Sequence, residues 1–61
     1  MYDKNGVDLE VQDFVAVTFL DENGENQVEV GLIEELYENT ALVNCGDRIH
    51  ITYNKIIFVS N

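Results

Sequence analysis

Two apolar runs with a period of two, Phe14–Leu20 and Gln27–Tyr37, meet across Asp21-Glu22-Asn23-Gly24-Glu25-Asn26, and this pairing constrains the fold more than any other stretch. An Asn-Gly pair between alternating apolar residues is a strong hairpin signal, because a two-residue type I′ turn needs positive φ at both central positions. With Asn23 and Gly24 as the loop, Glu22 opposes Glu25, Phe19 opposes Val28, Val17 opposes Val30 and Val15 opposes Leu32. One face is then wholly apolar. The other carries Leu20 with Gln27, Thr18 with Glu29 and Ala16 with Gly31, a small or polar set suited to solvent. A slip of one residue would turn Val15, Val17 and Phe19 outward, at about 1.5–3 kcal/mol for each large side chain left in water.

At its open end the same register sets Asp13 against Glu34 on the apolar side and Phe14 against Ile33 on the polar side. Glycine inside a strand marks a kink or a close backbone approach, so the strand is expected to bend between Gly31 and Glu35 and return Ile33 to the core. Without that bend, Phe14 and Ile33 would form an exposed apolar patch, which would itself mark a partner site.

The rest of the chain supplies more strands. Met1 to Asn5 is polar and expected to be loose, and after Gly6 the alternation of Val7, Leu9 and Val11 reads as a short lead-in strand along a sheet edge. Glu38-Asn39 reads as a tight turn. Thr40 to Cys45 and Arg48 to Tyr53 form a second hairpin about Gly46-Asp47, with Ala41, Val43, Ile49, Ile51 and Tyr53 on one face. Leu32, Ile33, Leu36 and Tyr37 also fall at helical spacing, but the segment continues a strand without a cap, so it is read as extended. Tyr53, Ile56 and Val59 are spaced by three, which suits a single 3₁₀ turn before a last strand over Ile56 to Val59. The expected fold is all-β, five antiparallel strands in a small closed barrel, with residues 1–61 as one domain.

Charge and size bound the function. Twelve acidic residues against three basic ones give a net charge of −9. Lys4, Arg48 and Lys55 are too few and too scattered for a phosphate-binding patch, which disfavours nucleic acid and anionic membrane as direct partners. A domain of 61 residues buries only about 60% of its unfolded surface, which leaves little room for a deep catalytic cleft. Cys45 has no disulfide partner, no run of 18 apolar residues occurs, and no leader or lipidation pattern is present, so the expected address is the cytoplasm.

Val11-Gln12-Asp13-Phe14-Val15-Ala16-Val17, Gly31-Leu32-Ile33 and Tyr53 to Val59 together resemble the strand spacing of SH3-like small barrels, in particular the KOW and Tudor-like branch. The resemblance spans most of the chain and implies the barrel fold. Such chains usually carry Gly where Gln12 stands, and their nucleic-acid-binding members have basic loops where this chain has Asp21, Glu22 and Glu25. Tyr37, Tyr53 and Phe58 offer aromatic faces but no recognisable cage for a methylated lysine.

Local motifs point to no chemistry. Asp21, Asn23 and Glu25 alternate like the start of a calcium loop, but the glycine comes too early and Leu32 stands where a bidentate Glu is needed. Cys45, Asp47 and His50 offer three ligand types on one hairpin, short of the four that structural zinc takes, and as a Cys-His nucleophile the pair lacks a pocket and an oxyanion hole. The expectation is therefore a non-enzymatic chain without metal or cofactor. Asp21, Glu22, Glu25, Glu29, Glu34, Glu35 and Glu38 are expected to gather on one side as an acidic partner-binding face. Self-repulsion at −9 destabilises a compact state, which points beyond simple solubility. Such a face suits a basic, nucleic-acid-binding surface on another protein, in the manner of phage or mobile-element inhibitors of host machinery. The alternative is a KOW-like module for RNA or a ribonucleoprotein. Pairing of an exposed strand edge with a second copy is a third possibility.

Overall fold

The computed structural model describes residues 1–61. β-branched and aromatic residues at alternate positions give five strands: β1 Phe14–Leu20, β2 Asn26–Leu36, β3 Thr40–Asn44, β4 Arg48–Thr52 and β5 Ile56–Ser60, with a 3₁₀ turn Tyr53–Lys55 before β5. All pair antiparallel in one sheet of order β4-β3-β2-β1-β5. β4 and β5 are the two outer strands with no ladder between them, so the sheet is open where a closed barrel was expected. No helix is long and apolar enough to cross a membrane.

β2 is the organising strand. Asn26 to Leu32 pair with β1, and Leu32 to Leu36 pair with β3, with a register shift between Ile33 and Glu35. The expected bend is there, and Ile33 is fully buried. Gly31 makes the crossing possible: a Cβ at this position would lie 2.7 Å from Val43 Cγ1, 2.8 Å from the Asn44 carbonyl oxygen and 2.9 Å from Cys45 Cβ. Around it the core collects Leu9, Val15, Val17, Ile33, Ala41, Val43, Ile51 and Ile56, with Leu36, Ile49, Tyr53 and Phe58 packed against it. The inward set expected for β3 and β4 is thus in place. Tyr53 Oη donates to the carbonyls of Tyr37 and of Thr40 (2.9 Å for the latter), tying the 3₁₀ turn to the turn between β2 and β3.

The register of the first hairpin differs by one residue from the sequence-based pairing. Val15 faces Gly31, Val17 faces Glu29, Thr18 faces Val28 and Ala16 faces Val30. The loop has three residues instead of two. Asp21 and Glu25 close it through the Asp21 amide to the Glu25 carbonyl at 2.9 Å, and the Gly24 amide donates to the Asp21 carbonyl at 3.0 Å. Gly24 has φ of +77°, while Asn23 does not enter the positive region, so the turn is type I followed by a left-handed glycine and not type I′. The Asp21 carboxylate favours this loop by accepting from the amides of Asn23 and Glu25, both at 2.9 Å, and from the Gln27 side chain. Glu22 and Glu25 are consequently not opposed. Because side chains alternate, the slip turns Val28 and Val30 out to solvent and Glu29 in.

The N-terminal segment is also ordered differently. Val7 to Val11 forms no strand, only an isolated bridge between Tyr2 and Asp8, and of its apolar residues Leu9 alone is buried. Met1 to Asn5 is not loose. Asp3 is buried, its Oδ1 accepts from the Asn5 and Val7 amides and its Oδ2 from the Phe58 amide, while the Lys4 amide donates to Ile56. These bonds cover the free edge of β5. Asp13, also buried, accepts from the Glu10 amide, and between them Gln12 is held at φ of +77° while its amide donates to Ile33. A side chain in this region is strained by about 1–2 kcal/mol. Gln12→Gly is therefore expected to raise stability by about 0.5–1 kcal/mol after the added entropy of the unfolded glycine, read as a higher urea midpoint at unchanged slope.

Candidate partner-binding site

The inner side of the sheet is filled by the core at one end and open at the other. There a cavity of about 420 Å³ lies between the end of β1, the first half of β2 and the β3–β4 turn. Phe19, Cys45, Ile49 and Ile51 make up its apolar lining, and Glu29, Asp47 and His50 its polar lining. Phe19 reaches the cavity because it follows Val15 and Val17 on the inward parity of β1, past the point where β3 can cover it. Glu29 reaches it through the one-residue slip described above.

The electrostatics of the cavity favour cations. No Lys or Arg lies within 4 Å of Glu29 or Asp47; the one ion pair made by a basic side chain joins Arg48 to Glu34 at 2.9 Å, elsewhere on the sheet. Burial pushes the Cys45 thiol above its ordinary pKa, and the Glu29 carboxylate beside it pushes it further in the same direction. The thiol is a weak nucleophile in these surroundings. It is also free, with its sulfur 3.7 Å from the Asp47 carbonyl.

The seven acids do not share one face. Asp21, Glu22 and Glu25 belong to the hairpin tip, where hydrogen bonds from Glu25, Gln27 and Asn23 hold the Asp21 carboxyl below its ordinary pKa. Glu29 alone lines the cavity. Glu34 is engaged by Arg48, and Glu35 accepts from Tyr37 Oη, which raises the pKa of that phenol. Glu38 is in the β2–β3 turn. Cys45, Asp47 and His50, weighed above as metal ligands, all border the cavity, with the His50 ring 5.5 Å from that of Tyr37. The grouping of Asp47 with Glu29 was not legible beforehand, since it needs both the hairpin register and the curl of the sheet. Tyr53 and Phe58 are spent on the core and Tyr37 on His50 and Glu35, so the three do not form an aromatic cage.

Comparison with protein-family models, with curated proteins and with solved structures finds no match in any of the three.

Proposed function

We propose that this protein is a small acidic, non-enzymatic protein-binding module that docks on a basic surface of another protein, one of its basic side chains entering the cavity beside β4. The observation that carries this reading is a cavity whose lining joins Phe19, Ile49 and Ile51 to two carboxylates, Glu29 and Asp47, that form no ion pair with a basic side chain of the chain. An Arg or Lys side chain has the matching form, an apolar stem ending in a cation. The hairpin-tip acids, with the net charge of −9, add long-range attraction for such a partner and speed its encounter. A surface that itself binds nucleic acid has the required charge. The order β4-β3-β2-β1-β5 with a 3₁₀ turn between β4 and β5 supports reading the domain as an SH3-like small barrel of the KOW and Tudor-like kind.

The test is titration with an arginine-rich peptide at low and high salt, followed by calorimetry. Binding is expected to weaken steeply as the screening length falls from about 10 Å at 0.1 M to about 3 Å at 1 M. Glu29→Gln with Asp47→Asn should weaken it by about tenfold, roughly 1.4 kcal/mol, whereas Glu22→Gln with Glu25→Gln, an equal change in charge, should cost distinctly less. Equal losses in the two double variants would remove the cavity from the reading. A gel shift of short RNA or DNA by the domain alone would replace it with direct nucleic-acid binding.

A further inference from the structure

The two outer strands differ in what the chain does with their edges. Asp3 and Lys4 bond to β5 at Phe58 and Ile56 and cover its edge, whereas no main-chain or side-chain bond reaches the outer edge of β4. Which groups that edge presents follows from the ladder. The Tyr37 amide donates to the Thr40 carbonyl, so Thr40 turns its main-chain groups to β2, and alternation along β3 turns those of Ala41 and Val43 to β4. Their partners Ile51 and Ile49 therefore bond to β3. Arg48 and His50 are left with N–H and C=O groups aimed away from the sheet, and Thr52 with its N–H. No bulge interrupts this edge. The cavity runs along it, for its lining takes in Ile49, His50 and Ile51 in succession. Ile49 and Ile51 face the core, while the His50 ring lies on the other face beside Tyr37, so a surface that reaches all three follows the rim of the strand.

We propose that the outer edge of β4 pairs with an extended basic segment of the partner protein, which joins the sheet as a further strand. This rests on the reading of the cavity as the seat of a basic side chain and names the form of the segment that brings it there. An unpaired edge is a template for an added strand: main-chain bonds give affinity and alternate side chains give specificity. Residues directly opposite across a ladder share a face. The partner residue that exchanges bonds with His50 thus turns its side chain to the outer face. The residues before and after it, opposite Ile49 and Ile51, turn theirs into the cavity, where Glu29 and Asp47 form no ion pair with a basic side chain. Arg or Lys at those two places lays its stem on the isoleucines and brings its charge to the carboxylates. The segment recognised therefore has a basic residue at every second position. A second copy of this chain does not fit: pairing its β4 about His50 sets Ile49 against Ile51, supplies no cation, and brings together two chains of charge −9.

The probe is an end-capped octapeptide of alternating Arg and Thr, titrated into the full chain at low salt and followed by calorimetry and by amide hydrogen exchange. In the pairing described, the Thr N–H groups face β4 and the Arg N–H groups face away. Methylating the Thr main-chain nitrogens should therefore weaken binding by at least about tenfold, and methylating those of Arg by less than about threefold. An octapeptide of the same composition with its Arg residues in one block should bind at least about fivefold more weakly than the alternating one, although its charge is equal. Exchange of the Arg48, His50 and Thr52 amides should be fast in the chain alone and at least about tenfold slower at saturation. Suppose instead that the peptide binds, weakens with salt and responds to Glu29→Gln with Asp47→Asn, but its two methylated forms bind alike and these amides gain no protection. That result would overturn strand pairing and leave the cavity reading standing, whereas no binding of the parent peptide would overturn both. Protection of the same amides that grows with concentration of the chain alone would give the edge to a second copy and overturn the proposal.

Discussion

Gly31→Ala is expected to lower the stability of the domain by about 3 kcal/mol, the upper part of the range for overpacking a well-filled core. The added methyl would stand under 3.0 Å from three heavy atoms, and one of them, the Asn44 carbonyl oxygen, is main chain and cannot swing aside. Relief requires β2 and β3 to separate where β2 passes from β1 to β3, which opens the packing of Val43 against Ile33. A domain of 61 residues has a total stability of about 3–9 kcal/mol, so the variant should be partly unfolded at 37 °C. Urea melts of parent and variant check this, and an unchanged midpoint would show that β2 does not cross β3 at Gly31.

Asp3→Asn is the second large effect. Burial disfavours the Asp3 carboxylate, but bonds from the Phe58, Val7, Asn5 and Gly6 amides outweigh it and hold the pKa below its ordinary value of 3.8. An Asn at this place can satisfy one oxygen position, while its amide nitrogen opposes the Phe58 N–H that Asp3 Oδ2 now accepts at 2.7 Å. The expected loss is about 2 kcal/mol at neutral pH, from a buried donor left without an acceptor and a weakened turn over the β5 edge. The pH dependence has a definite sign. A carboxyl whose pKa is lower folded than unfolded contributes stability above about pH 4 and loses it as the pH falls through the folded value. The gap between parent and Asp3→Asn should thus be constant from pH 5 to 7 and narrow below about pH 4. A gap that widens with acid would mean that Asp3 is not held charged in the fold.

Both effects involve residues whose weight is hard to see in one dimension. The position of Gly31 inside an apolar run announced a bend, but not that three atoms of β3 and its turn would crowd the missing Cβ. Asp3 sits in a polar stretch with no periodicity, and its acceptors are spent on one local turn and on Phe58, a residue 55 positions away. Gln12 at positive φ is a similar case. Nothing in its neighbours' periodicity marks a glutamine held in the left-handed region.

Strand positions were legible because they follow from short-range chemistry: period-two apolar runs, β-branched content, and Gly and Asn at the breaks. That chemistry set β1, β3, β4, the 3₁₀ turn and β5, and the inward set Ala41, Val43, Ile49 and Ile51. Composition likewise fixed the excess of negative charge. The hairpin register, by contrast, was a choice between two loops one residue apart. Pairing apolar residues across a two-residue loop favoured one of them. The Asp21 carboxylate in the turn and the need to aim Gly31 at β3 favoured the other, leaving Val28 and Val30 in water at about 1.5–3 kcal/mol each relative to burial. A periodic pattern cannot rank these terms, because the second set depends on where a third strand lies. Tertiary packing decided the register, and with it the placement of Glu29 beside Asp47 on one side of the sheet and of Val28 and Val30 on the other.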